Sequence, residues 1–314
     1  MEKNLSVDKE LFTLLTDEEK KIDVIVRPSI SYWKDAWTRL KNNKVALGSL
    51  LMISIIVLSA IIVPMCSKYD YSANNLGMTN LKPSMEHLFG TDQLGRDIFV
   101  RVFYGARYSL TIAVVAAIIN LIIGVLYGGI AGYFGGKVDA ILMRIVDVIY
   151  SIPLTIYVII FMTIFNKPGS GGSGLGTIIL ALSISYWIGM ARIVRGDVLQ
   201  LKQQEFVLAS KALGASDFRI LIRHLIPNCI SSIMVTLTLL IPEAVFTEAF
   251  LSFIGLGLVP PKASLGTLAN EAMKAIYTYP WQLLFPAVMI CLIILSFNLF
   301  GDGLNDALDP KNKR

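Results

Sequence analysis

Long apolar runs separated by short polar stretches dominate this chain, and they set its architecture. A helix crossing the hydrocarbon of a membrane needs about 20 apolar residues. Six segments qualify: Val45 to Cys66, Tyr108 to Gly132, Val138 to Phe165, Gly176 to Val194, Cys229 to Leu258 and Leu283 to Phe300. The third is less uniform, with Asp139, Arg144 and Asp147 in its first turns, and the fifth contains Glu243 and Glu248. Either could be tilted or broken. The pattern predicts an all-α polytopic membrane protein of about six transmembrane helices. The polar remainder divides it into a lead-in (1–44), the first span (45–66), a longer loop (67–107), a spanning region (108–300) holding a polar island at 199–228, and a tail (301–314).

The island is the most informative of these. Within Glu205 to Asn228, the residues Glu205, Phe206, Leu208, Ala209, Ala212 and Leu213 recur at spacings of three and four, so one helix face is small and apolar. Gly214 is placed to end that helix in a left-handed conformation, followed by Ala215. Ser216 or Asp217 can cap a second helix through Leu225, and Pro227 marks the start of the fifth span. Such a helix suits a partner's groove or the surface of a bilayer. The periodicity alone leaves both open.

Composition sharpens the class. Of 314 residues, 54% are hydrophobic and 16% charged, against about 25% charged in ordinary soluble domains. Lys and Arg are uneven. Segments 1–44, 133–144, 192–228 and 301–314 carry 9, 2, 6 and 3 of them, 20 of the 28. Positive loops stay cytoplasmic, so both termini and the island are expected inside. No apolar run near the start resembles a cleavable signal. Cys66, Cys229 and Cys291 have no metal-like spacing and read as packing residues. The segment NKPGSGGSGLG reads as a Gly/Ser linker. His87 and His224 are expected at the surface. No P-loop, H-E-x-x-H or G-x-S-x-G occurs, so ATP chemistry by the P-loop route is excluded from this chain.

Two segments carry a specific resemblance. The island resembles the coupling loop of bacterial ABC-importer permeases, E-A-A-x-x-x-G with a closing proline, here Gly214 and Pro227. It departs from that pattern at Leu208, Ala209 and Ser210, where the family has Glu-Ala-Ala; Glu205 lies one turn earlier. The stretch FGTDQLGRDIFVRVFYGARYSL, Phe89 to Leu110, is similar to the C-type permease signature of dipeptide, oligopeptide and nickel importers, through Asp92, Gly95, Arg96, Asp97 and Arg101 among others. The spacing of Asp97 and Arg101 suits a helix-surface pair. EAFLSFIGLG from Glu248 and the ending FNLFGDGLNDALDP match the same family. Asp302, Asp306 and Asp309 read as a solvated helix start and cap.

The resemblance spans about residues 40–312 and implies a type I ABC-importer permease fold in a bacterial inner or plasma membrane. It implies a subunit without catalytic or metal sites, whose ATP and Mg lie on two separate ATP-binding subunits. Its other implied partners are a homologous second permease in a heterodimer, an extracytoplasmic peptide-binding protein and the lipid bilayer, with no nucleic acid. Glu205, Phe206, Leu208, Ala209, Ser210, Leu213, Gly214, Ala215, Asp217 and Pro227 are then the ATPase-coupling residues. The stretch Phe89 to Leu110, with Asp92, Gly95, Arg96, Asp97 and Arg101, is then an outer cap helix, or a wall or gate where cargo enters. Glu248, with Ser252 and Gly255, is the candidate for the path or an interface, since a carboxylate at membrane depth is costly; the alternative is a hydrated or paired carboxylate near the outer surface. Peptides are the expected cargo, and chelated nickel is the rival. A self-contained channel or a membrane enzyme fits less well, because a channel needs no coupling loop and no catalytic pair has useful spacing.

Overall fold

The computed structural model describes residues 32–165, 174–258 and 260–308. Helix α1 (Tyr32–Asn42) leads into α2 (Lys44–Cys66), whose first turn is capped by Asn43 Oδ1, accepting from Val45 N and Ala46 N at 3.1 Å. Between them the cap satisfies amides that have no intrahelical partner. Leu51, Ile55, Leu58 and Ile62 on α2 stay exposed, as expected of a face that meets lipid.

A loop of turns then reaches α3 (Ile98–Phe134), a helix of 37 residues, about 55 Å long at ~1.5 Å per residue. It begins ten residues before the apolar run that marks it in the sequence, because Asp97 caps it and the signature Ile98 to Arg107 continues into the span without a break. The stretch read as an outer cap is thus a turn-rich loop up to Asp97 followed by the first turns of α3, continuous with the apolar run.

The third apolar segment is two helices, α4 (Gly136–Tyr150) and α5 (Leu154–Phe165), bent by 76° at their junction. Pro153 lies in that junction, where it disfavours helical geometry in Ile152. Helices α6 (Leu175–Ser185) and α7 (Trp187–Leu201) form the fourth span. The island holds α8 (Glu205–Ala212), α9 (Asp217–Ile220), a π-helical turn (Leu221–Leu225) and α10 (Ile226–Asn228). Then come α11 (Ile230–Phe253), α12 (Leu265–Met273) and α13 (Trp281–Leu308). Among the described residues five spans are long and apolar enough to cross a membrane, six with the bent pair, and no strand occurs.

Helix α3 is the axis of the bundle and packs on α2, α6, α7 and α11; α13 packs on α2, α11 and α12. Its contact with α7 rests on Gly124, Gly128 and Gly132, one every four residues and so on one face. A Cβ on Gly124 would lie 2.6 Å from Met190 Cβ, one on Gly132 2.8 Å from Arg195 O, and one on Gly128 against Ala191 O. Small residues at this spacing let membrane helices approach backbone to backbone. Beside this seam Arg195 of α7 grips Asp139 of α4 with two bonds, Nε at 2.5 Å and Nη2 at 2.6 Å. Asp139, and Asp147 through Arg192 at 3.1 Å, thus bind α4 to α7.

At the C-terminal end α13 continues to Leu308. Asp302 and Asp306 are exposed on its last turns rather than at a helix start, so that expectation is corrected. Asp309, most of the Gly/Ser linker and most of the lead-in lie outside the described residues.

Candidate functional site

The island folds as two short helices joined at Leu213 to Ala215. Gly214 has φ +81°, its N–H donates to Lys211 O at 2.9 Å, and Ala215 N donates to Ser210 O at 3.1 Å. These two bonds form a Schellman ending, which needs a left-handed residue where Gly214 stands. Ser216 occupies the cap position of α9 without a side-chain cap bond, so neither Ser216 nor Asp217 caps it as the sequence suggests. Asp217 instead accepts from Tyr133 Oη at 2.5 Å, tying α9 to the end of α3. Lys211 Nζ lies 5.3 Å from the Tyr133 ring centroid, a cation–π contact from α8 to the same residue. Pro227 lies in α10, three residues before α11 begins at Ile230.

The island's two faces differ. Val207, Ile220, Leu221 and Leu225 are buried in a cluster with Val125, Met190, Val194, Val198 and Cys229 from α3, α7 and the start of the fifth span. The opposite face exposes Phe206, Leu208, Phe218 and Leu213, the last two 73% and 89% exposed. Glu205, Ala209 and Gly214 are exposed with them, while Ser210 and Ala215 are partly covered. The island thus carries an exposed apolar face on a buried base.

The first loop, at the opposite end of α3, holds a partly buried ion network around the buried Arg101. Asp92 Oδ1 accepts from Leu94 N at 2.8 Å and Arg96 N at 3.0 Å, and its Oδ2 accepts from Arg96 Nε at 2.7 Å and from Arg101 Nη1. Glu271 on α12 joins both arginines, at 2.8 Å to Arg96 Nη2 and 3.1 Å to Arg101 Nη1. Gly95 sits in the tight turn between them with φ +71°. The expected Asp97–Arg101 side-chain pair does not form. Asp97 Oδ1 caps α3 by accepting from Val100 N at 2.9 Å, while its Oδ2 meets His87 Nδ1 at 2.7 Å. His87 is buried, not a surface residue, since Asp97 gives its ring a polar partner inside the loop. His224 is partly covered.

Glu248 is wholly enclosed within the chain and faces no open wall. Ser109 Oγ of α3 donates to it at 2.6 Å and Ser252 Oγ at 2.7 Å. Ser109 in turn accepts from Leu265 N at 3.3 Å, and Ser252 accepts from Ser264 Oγ at 3.1 Å. The buried carboxylate therefore knits α3, α11 and α12 together, as buried polar groups must be satisfied. Reading Glu248 and Ser252 as lining the path, or Glu248 as hydrated near the surface, is corrected by this enclosure. Gly255, with φ +90°, is exposed just past the end of α11, and Glu243 is exposed on another face of that helix.

Sequence reading missed Glu271, Tyr133 and the glycine seam. The seam had a signal, Gly124-x-x-x-Gly128-x-x-x-Gly132. Glu271 had none, standing 170 residues from Arg101.

Residues 124–314 match the binding-protein-dependent transport system inner membrane component, and residues 31–83 match the N-terminal TM domain of oligopeptide transport permease C. The chain is 49% identical to the oligopeptide transport system permease protein OppC of Bacillus subtilis, over 98% of this chain and 99% of that one. It is 48% identical to the dipeptide transport system permease protein DppC of the same organism, over 100% and 96%. In fold it is similar to the inward-facing MetNI methionine ABC transporter, with TM-score 0.55 and 19% identity over 68% of this chain and 96% of that one. The chain belongs to the family of binding-protein-dependent transport system inner membrane components, with the fold of a type I ABC-importer permease.

Proposed function

We propose that this chain is a translocation subunit of an ATP-driven importer of oligopeptides or dipeptides, and that α8 is the lever through which ATPase subunits act on it. One observation carries the mechanism: α8 presents Phe206, Leu208 and Leu213 outward while Val207 fixes it to the bundle. The near-full-length similarity to peptide permeases supports the cargo class. The chain performs no covalent chemistry in this reading. ATP and Mg act on two partner ATPases, a homologous permease supplies the other half of the path, and an extracytoplasmic binding protein delivers the peptide.

The Lys/Arg distribution supports placing both termini and the island in the cytoplasm. A push on α8 reaches α3 through Lys211 and, by way of α9, Asp217 on Tyr133, α7 through Val198 and Val194, and α11 through the π-helical turn and α10. The glycine seam holds α3 and α7 together, so they move as one body. The partner then biases a two-state element without chemistry in this chain.

The test is uptake of a labelled tripeptide by cells lacking the chain, complemented with wild type or Leu213→Asp. Leu213 is nearly fully exposed, so the substitution leaves the fold intact. Uptake restored by wild type and lost with Leu213→Asp, at equal membrane levels, supports both parts of the proposal. Uptake unaffected by deletion defeats the peptide assignment, and nickel uptake is then measured. Full uptake with Leu213→Asp defeats the lever.

A further inference from the structure

We propose that the cleft beside Arg96 and Arg101 binds the C-terminal carboxylate of a short peptide, with Glu271 holding the carboxylate position until the peptide displaces it. This rests on the peptide-import reading for the identity of the ligand, but not for the chemistry of the site. The cleft has a volume of about 300 Å³ and is lined by Asp92, Arg96, Arg101, Glu271, Lys274 and Gln282 among others. That is the lower end of the range of small-molecule sites.

The two carboxylates in the network are held differently. Asp92 is built into the loop, with two backbone N–H donors on one oxygen and two arginines on the other. Its side chain is 13% exposed. Glu271 is 39% exposed and is held by the arginines alone, with Arg101 Nη2 at a long 3.4 Å from its second oxygen. Arg101 is buried, and its Nε has no partner. Among the described residues its buried Nε stays unpaired, its Nη1 is shared between Asp92 and Glu271, and its Nη2 makes only the long contact to Glu271.

Charge points the same way. Arg96, Arg101 and Lys274 place three cations around the cleft against two carboxylates, Asp92 and Glu271. Removing Glu271 with nothing in return would leave buried guanidinium charge uncompensated, which is strongly unfavourable. Exchanging one carboxylate for another conserves the pairing, and arginine forks match a free carboxylate in two-point geometry. Gln282 is already committed to Asn80 and to Thr91 O, so the arginines and Lys274 are the recognising groups. Glu271 lies on α12, whose capping Ser264 bonds Ser252 beside Glu248. Its displacement thus acts on a helix already tied into the bundle.

The experiment titrates the full chain in lipid nanodiscs with trialanine, trialanine amide and N-acetylalanine, by thermophoresis. Glu271→Gln removes the competing charge at a partly exposed residue and is expected to tighten trialanine and N-acetylalanine at least tenfold without changing the amide. Adding Arg96→Gln to that background is expected to reverse the gain. Lys274→Gln, a surface change, is expected to weaken the acids severalfold in the otherwise unmodified chain. Equal responses of acid and amide, or no tightening in a Glu271→Gln chain with unchanged circular dichroism, overturn the proposal. If Glu271→Gln does not fold, the Lys274→Gln titration decides: unchanged acid binding overturns it. Tightened N-acetylalanine binding without peptide uptake by cells would keep the carboxylate site and defeat the peptide reading. The reverse result would defeat the site alone.

Discussion

Replacing Gly128 by Leu should break the bundle at its closest helix–helix contact. The Gly128 position faces Ala191 O, a backbone atom that cannot swing aside. The neighbouring Gly124 shows the scale: a Cβ there would stand 2.6 Å from Met190 Cβ. Carbon atoms prefer about 3.5–4.0 Å, so α3 and α7 would have to part by roughly 1 Å, which forfeits about a quarter to a half of each facing pair's attraction. With on the order of 20 facing pairs at about 0.1–0.2 kcal/mol each, that is about 1 kcal/mol. Strain from the added side chain contributes about 1–3 kcal/mol more. Against this stands the gain of about 1 kcal/mol from removing a glycine in a helix interior. The net expectation is a loss of about 1–3 kcal/mol for Gly128→Leu. Gly189 in α7 is the control, since nothing stands within 4 Å of a Cβ there; Gly189→Ala should stabilise slightly. The assay uses the buried thiol Cys229 in a Cys66→Ser, Cys291→Ser background and follows its labelling in detergent with rising temperature. Gly128→Leu should label at lower temperature than the parent, and Gly189→Ala at the same or higher. Equal melting of parent and Gly128→Leu, or equal destabilisation by both substitutions, would refute the close-contact argument.

Other expectations follow from the same geometry. Glu248→Ala strands the hydroxyls of Ser109 and Ser252 and opens a cavity, for a loss of about 2–4 kcal/mol, whereas Glu248→Gln keeps an acceptor and should lose less; the same thiol-labelling melt ranks them. Tyr133→Phe removes the bond to Asp217 and should speed amide hydrogen exchange in 205–220 while leaving α2 unchanged. Arg195→Lys cannot keep the two-point grip on Asp139; a double-mutant cycle with Asp139→Asn should give a coupling of about 1 kcal/mol, and zero coupling would remove the pair from the account.

What was legible in the sequence was local. Gly214 could be read as a helix ending because a left-handed residue is needed wherever a helix closes in that way, and its φ of +81° bears this out. The apolar spans followed from length and hydropathy, and Pro153 lies where the third one breaks. What could not be read depends on partners far apart in the chain. Arg101 was paired on paper with Asp97, four residues away, but Asp97 was needed at the helix cap and Arg101 turned to Asp92 and Glu271. His87 looked like surface because nothing in its neighbourhood announces burial; its partner Asp97 lies ten residues on. Glu248 was recognised as costly, yet the serines that hold it come from α3 and its own next turn. The start of the second span was misjudged because Arg101 and Arg107 interrupt the otherwise apolar Ile98 to Arg107, which runs straight into the helix.

The most direct test of the central claim reconstitutes the complete transporter in liposomes with wild type or Leu213→Asp and measures ATP hydrolysis with and without peptide-loaded binding protein. The account predicts stimulation by the loaded binding protein with wild type. With Leu213→Asp it predicts that ATPase subunits fail to co-purify, or that stimulation is lost. Stimulated hydrolysis and transport at wild-type rates with Leu213→Asp would contradict it.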